Sequence, residues 1–295
     1  MSTKTAEIPA VWITGASCTG CSVSLLNAVS PTVKNLLIDP VIPGKHLNLR
    51  FHATIMAGAG EPVMQVLQTT QKANPGGYLL LVEGSVVTKD DGLYCTIGET
   101  AGKHITFQDK FLELAKDSLA VVCIGTCSSF GGIPAAKPNP SGSKSVSQAL
   151  AEAGIKKPVI NVPGCPPHPD WMLGTVAMVM LKGLPGADDL DYALRPKAFY
   201  GKLIHENCSR RPYFDAGKFA KRTSDEGCLF SIGCKGPMTY ADCSTRLWNN
   251  GVSWCVGAGS PCLGCCEPTF PDDTQPVFEK LNQDRLSRFL IKTRG

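Results

Sequence analysis

The chain has 295 residues, 43% of them hydrophobic and 18% charged, with a formal net charge of +4. That balance suits a globular chain with a core of its own and excludes a disordered tail or a strongly basic nucleic-acid binder. Its fourteen cysteines are too thinly spread for a small disulfide scaffold, and in a chain long enough for two domains they read as metal ligands.

The opening "MSTKTAEIPAVWITG" has neither a basic nor an apolar leader region, so the chain as written reads as cytoplasmic. A leader cleaved earlier, or one carried by a partner, would make it periplasmic. In chain order, "PAVWITG" (9–15) predicts a strand, 21–29 and 61–73 predict helices, and "GYLLLVEGS" (77–85) predicts a second strand. A helix over 107–116, a strand "SLAVVCIGT" (118–126), a helix over 144–153, a strand "KPVINVPG" (157–164) and a helix over 170–182 complete the pattern. Apolar runs without alternation are what parallel strands buried on both faces require, and their alternation with helices predicts a doubly wound α/β sheet over residues 1–185. Three strands run straight into "TGASCTGC", "GTCSSFGG" and "PGCPPHP". Open parallel sheets bind ligands beyond the carboxyl ends of their strands. Cys18, Cys21, Cys127 and Cys165 should therefore gather at one edge. "GASCTG" fits neither the dinucleotide fingerprint nor the P-loop, so nucleotide binding is not expected.

From about residue 186 the periodicity fades and cysteines arrive at 208, 228, 234, 243, 255, 262, 265 and 266. So irregular a segment buries too little apolar surface to fold alone, and either disulfides or inorganic cofactors must organise it. The basic patch "SRRPYFDAGKFAKR" is interrupted by Asp215 and reads as a solvated loop face, which leaves no nucleic-acid partner. No transmembrane segment is predicted, because the longest apolar run, 171–181, is too short. The C-terminal "VFEKLNQDRLSRFLIKTRG" predicts a basic amphipathic helix.

The pair Cys18 and Cys21, three residues apart, suits a disulfide, a zinc ion or a redox cluster equally. "CVGAGSPCLGCCEP" (255–268) adds a second such pair, Cys262 and Cys265, with Cys255 upstream and a proline after, a grouping found in iron–sulfur runs. Zinc sites want two pairs close together, and here the two pairs stand far apart. In "HENC" a histidine precedes Cys208 by three residues. A lone histidine is ordinarily a satisfied core or surface residue. Beside Cys208, Cys228 and Cys234, which lack a fourth partner, His205 becomes a candidate ligand, whereas His168 is assigned packing.

The stretches "CTGCSVSLLNAV", "VEGS", "GTCSSFGGIPAA", "NVPGCPPHPDWM", "IHENC", "GCKGPMTYADC", "RLWNNGVSWC" and "PCLGCCEPTFPD" resemble, in order and along nearly the whole chain, the small subunit of nickel–iron hydrogenases. The likeness is greatest to the nickel–iron–selenium branch. The resemblance implies a flavodoxin-like domain (1–185) carrying a proximal cluster, followed by a mostly irregular iron–sulfur domain (186–295) carrying medial and distal clusters. It implies a proximal 4Fe–4S cluster on Cys18, Cys21, Cys127 and Cys165. It implies a distal one on His205, Cys208, Cys228 and Cys234, and a medial one on Cys243, Cys262 and Cys265. Many relatives carry proline where Cys255 stands, and their medial cluster is 3Fe–4S. With Cys255 as fourth thiolate, three 4Fe–4S clusters are expected, with a lower medial potential. Gly20 and Gly132 stand where oxygen-tolerant relatives carry further cysteines, so ordinary oxygen sensitivity is expected.

The chain itself is expected to hold no catalytic residue. Dihydrogen chemistry would belong to a large subunit bearing the nickel–iron centre, and electrons would leave to a carrier such as a cytochrome or ferredoxin. Cys95, Cys123 and Cys266 then remain as small apolar side chains. Glu83 ends a strand at the same edge as the proximal set, with a structural role, an interface hydrogen bond or proton movement open to it. A zinc-stabilised scaffold, a disulfide-bonded secreted protein and a relative within quinone-linked respiratory complexes, which carries only the proximal-type cluster, are the alternatives.

Overall fold

Val, Ile and Leu dominate four of the first unit's strands, and these four lie side by side. The computed structural model describes residues 6–37 and 45–280, in two compact units, Met1–Gly186 and Ala187–Gly295. The first unit runs β1 (Ala6–Thr14), α1 (Gly20–Leu26), α2 (Val33–Leu37), β2 (Lys45–His52), α3 (Glu61–Ala73), β3 (Leu79–Glu83) and then a ribbon of β4 (Thr96–Thr100) and β5 (Lys103–Thr106). It continues through α4 (Phe107–Asp117), β6 (Ala120–Ile124), α5 (Thr126–Phe130), α6 (Val146–Glu152), β7 (Val159–Val162) and α7 (Pro169–Lys182). Five strands form one sheet in the order β2-β1-β3-β6-β7, and each neighbouring pair is parallel. With the β4–β5 ribbon set aside, this is the flavodoxin-like order, whose direction reverses between β1 and β3.

Every residue of β3 and of β6 is buried, as strands covered on both faces must be. Val11, Ile13, Leu80, Val82, Val121 and Cys123 form a core with Phe107, Phe111 and Leu114 of α4. Local chemistry sets the helix starts. The Thr106 hydroxyl accepts from the Asp109 N–H at the head of α4, and Ser145 with Gln148 makes a reciprocal capping box on α6. Cys123 is fully buried in β6, as a small apolar side chain should be.

The α/β expectation holds, with two differences. The edge strand β2 is not among the expected strands, because "KHLNLRFH" mixes Lys, Asn and Arg with its apolar residues and is only partly buried. Nor is the β4–β5 ribbon, whose strands are polar and largely uncovered.

The second unit has little regular structure. Short helices α8 (Lys197–Tyr200), α9 (Arg211–Asp215) and α10 (Cys243–Arg246) alternate with single 3₁₀ turns at Ile204–Asn207, Leu229–Ile232 and Gly236–Met238. Its interior includes a wholly buried Arg195. The Arg195 guanidinium donates from Nε to Asp191 (2.8 Å), and from Nη1 to Glu267 (3.1 Å) and the Cys266 carbonyl (2.9 Å). Ion pairs and carbonyl contacts thus hold a loop that apolar burial alone would leave loose. Most of the basic helix expected over 277–295 lies outside the described residues; residues 277–280 are not helical. Among the described residues no helix is long and apolar enough to cross a membrane.

Candidate iron–sulfur cluster sites

The carboxyl ends of four strands build the first site. Cys18 and Cys21 follow β1, Cys127 lies on α5 after β6, and Cys165 follows β7. Glu83, the last residue of β3, is fully buried among them. Its Oε1 accepts from the Cys21 N–H (3.2 Å), the Ser22 N–H (3.4 Å) and Ser17 Oγ (3.2 Å). Its Oε2 accepts from Ser22 Oγ (2.5 Å) and Trp12 Nε1 (3.1 Å). The residue before α1, Thr19, gives no side-chain cap. The carboxyl group from β3 satisfies the helix's free N–H groups instead, and so ties Cys21 to the sheet.

The thiols of this set feel one another. Burial pushes the Cys21 thiol far above its ordinary value, and Glu83, Cys127, Cys165 and Cys18 push it further. Burial likewise raises the Cys127 thiol to about 11, with Cys18 and Glu83 adding to it. Space around the sulfurs is measured by two glycines. A Cβ on Gly125, at φ +89°, would stand 2.5 Å from Cys21 Sγ, and one on Gly132 would stand 3.0 Å from Cys127 Sγ. The surroundings of Glu83, namely Trp12, Ser17, Ser22 and the His52 ring 3.4 Å from Ser22 Oγ, carry no local signal in the sequence. Only Glu83 itself is signalled, by its place at a strand end.

In the second unit His205 lies on the 3₁₀ turn Ile204–Asn207 and Cys208 caps its end, the Cys208 N–H donating to the His205 carbonyl at 3.4 Å. His205 is buried, its ring edge-on to Phe214 at 4.6 Å, and its Nε2 has no hydrogen-bond partner among the described residues. Burial, and then Arg211, lower its pKa, which favours the neutral imidazole. The Cys234 thiol is raised by burial and by Cys208 and Cys228, which places these three together. The Arg210 N–H donates to Cys208 Sγ at 3.4 Å.

A third grouping follows. Burial raises the Cys243 thiol, with Cys265 and Cys255 adding to it. Cys255 is raised by burial and by Cys265, and Cys262 by burial, Cys234, Cys265 and Cys243. Cys266 is buried, its Sγ 3.9 Å from that of Cys265. The second and third groupings meet through backbone. The Cys262 N–H donates to Cys234 Sγ (3.3 Å), and the Lys235 N–H donates to the Cys262 carbonyl (2.8 Å). Lys235, inside "GCKGP", is a functional candidate that the sequence reading misses, although a cation flanked by candidate ligands is a signal that could be read.

These donor sets suit a polynuclear iron core better than one ion. Tetrahedral zinc holds its sulfurs at about 2.3 Å and so within about 4 Å of each other. Among the described residues no three or more His, Cys, Asp or Glu are grouped to hold a single ion. No disulfide is formed by any of the cysteines. Thiols that repel one another as thiolates, most of them buried or half-buried but Cys18, Cys165 and Cys255 exposed, are satisfied by a larger cationic core that displaces their protons. An imidazole nitrogen without a partner among the described residues, three positions before Cys208, is a further available donor.

A flavodoxin-like sheet with thiols at its strand ends, followed in the chain by an irregular thiol-rich unit, is the arrangement of an oxidoreductase subunit. Residues 18–179 match the family described as NADH ubiquinone oxidoreductase, 20 Kd subunit. Residues 200–278 match the family that describes the C-terminal part of the NiFe/NiFeSe hydrogenase small subunit. The first match is the ground the chain shares with respiratory relatives, and the second separates it from them. The chain belongs to the family of NiFe and NiFeSe hydrogenase small subunits. It is 45% identical to the periplasmic NiFeSe hydrogenase small subunit of Desulfomicrobium baculatum over 92% of this chain and 87% of that one. It is 42% identical to the periplasmic NiFe hydrogenase small subunit of Solidesulfovibrio fructosivorans, over 92% of this chain and 81% of that one. The structure of the Dm. baculatum NiFeSe hydrogenase superposes with a TM-score of 0.86 at 45% identity, covering 93% of this chain and 99% of that chain. Both sequence relatives are named periplasmic, so the cytoplasmic expectation finds no support.

Proposed function

We propose that this chain is the electron-relay subunit of a NiFe or NiFeSe hydrogenase, working in the periplasm. It would carry electrons between a large subunit that handles dihydrogen and an external carrier such as a cytochrome or ferredoxin. The observation that supports the reading is that candidate thiols lie near one another in three sets, two of which adjoin at Cys234 and Cys262. Cys18, Cys21, Cys127 and Cys165 would hold the proximal cluster; His205, Cys208, Cys228 and Cys234 the distal one; Cys243, Cys255, Cys262 and Cys265 the medial one. When bound, such clusters accept and release single electrons.

The chain's own contribution is to place, shield and tune. Strand ends and Glu83 hold the proximal thiols in position. A neutral imidazole in place of a thiolate makes the distal set less negative, which favours its reduced form, as histidine ligation does in Rieske centres. Cys255 gives the medial set a fourth thiolate, which supports four irons there. Elemental analysis of the anaerobically purified complex tests this. Beyond the iron of the large subunit's nickel–iron centre, about twelve irons per chain are expected, and about eleven would mean that Cys255 does not bind, with sulfide at about twelve either way. Zinc without sulfide would overturn the reading.

A further inference from the structure

Two lysines are buried among the described residues, and they are handled differently. Lys110 pairs with Glu113 at 2.6 Å. Lys235, only 1% exposed, has no carboxylate partner among the described residues. Its ammonium donates to three carbonyls, those of Gly233 (2.6 Å), Glu279 (3.0 Å) and Pro276 (3.2 Å). Three donors on three acceptors fix the group in place and prevent it from swinging to solvent.

A buried charge without a countercharge is expensive, so its compensation must come from nearby. What lies nearby is sulfur. Cys234 precedes Lys235 directly, and the Lys235 N–H holds the Cys262 carbonyl while the Cys262 N–H holds Cys234 Sγ. The buried lysine therefore belongs to a backbone link that joins a candidate ligand of the distal set to one of the medial set. A thiolate-ligated cluster becomes more negative by one charge when it gains one electron, and net charge is among the terms that set its potential.

We propose that Lys235 is the shared buried countercharge of the medial and distal clusters, and that it holds both reduction potentials up. The inference rests on the cluster assignment above. It adds a tuning residue that touches no substrate and binds no iron.

The test uses the anaerobically purified complex of small and large subunits, with iron and acid-labile sulfide counted before an EPR-monitored redox titration. Lys235→Met with its full iron should shift both clusters downward. At a fixed potential the oxidised-to-reduced ratio of each should rise about tenfold, which for one electron is about 59 mV. The proximal cluster should stay put, and Lys235→Arg should leave both ratios within about threefold of the parent. Intact iron in Lys235→Met with neither potential moved, or only one, would overturn the proposal. If Lys235→Met loses iron, Lys235→Gln, which keeps donors without charge, is titrated against the same criterion. Loss of iron in Met and Gln variants alone, with Lys235→Arg intact, supports the role of charge. Loss in all three would overturn it and leave Lys235 as a loop anchor. Parent protein without iron and sulfide would refute the cluster assignment instead, so the two failures are distinct.

Discussion

Adding a single methyl group at Gly125 should empty the first cluster site while leaving the rest of the chain filled. Gly125 closes β6 at φ +89°, and a Cβ there would lie 2.5 Å from Cys21 Sγ. The sulfur has little room to retreat, because Cys21 and Ser22 are pinned through their N–H groups to Glu83. An L side chain in the left-handed region costs about 1–2 kcal/mol, and displacing packed groups adds about 1–3. A total of about 3 kcal/mol corresponds to a fall in Tm of roughly 6–12 °C for a unit of this size. Iron should drop from about twelve to about eight per chain, the loss of one four-iron cluster. Gly154→Ala is the control. It also sits at positive φ, +67°, but its Cβ would meet nothing within 4 Å. It should lose only the backbone share, about 1–2 kcal/mol, and no iron. Differential scanning calorimetry and iron analysis of both variants decide the matter. Gly125→Ala with full iron and a melting loss no larger than that of Gly154→Ala would refute the argument that this glycine exists to make room for the thiol.

Three further outcomes are expected. Glu83→Gln places an amide donor among five hydrogen-bond donors; a loss of about 2–3 kcal/mol is expected in thermal melts, with lowered proximal iron occupancy. Arg195→Met strands the wholly buried Glu267 and should cost about 3–5 kcal/mol, part of which returns in the double variant Arg195→Met with Glu267→Leu. His52 is buried and its pKa lies below the ordinary value of about 6.5. The unfolded chain therefore takes up its proton first as pH falls, so His52 contributes stability above pH ~6.5 that is lost on acidification. In denaturant melts, His52→Gln should flatten the decline between about pH 6.5 and 5 by at most about 1.4 kcal/mol per pH unit, and an unchanged slope would count against it.

What can be read from the sequence follows from how each residue does its work. Strands such as "LAVVCIG" are buried on both faces, so their composition alone marks them, and the doubly wound topology follows from their alternation with helices. The strand-end position of Cys18, Cys21, Cys127 and Cys165 is legible for the same reason. β2 and the β4–β5 ribbon are not, because an edge strand with one half-open face and a polar ribbon owe their form to neighbours rather than to their own residues. The grip of Glu83 on α1 joins residues more than sixty positions apart, and no local pattern encodes it. The role of Arg195 is hidden likewise, since it looks like an ordinary surface cation until tertiary packing buries it, whereas Lys235 is marked by its place directly after Cys234.

The backbone link between Lys235 and Cys262 bears on how two loops hold their shape. The Cys262 N–H that serves Cys234 Sγ, and the Cys262 carbonyl that receives the Lys235 N–H, belong to one loop, while their partners belong to another. Neither loop can take its final path unless the other is present. The order of one candidate ligand loop therefore depends on that of the other, so a change that loosens either should loosen both.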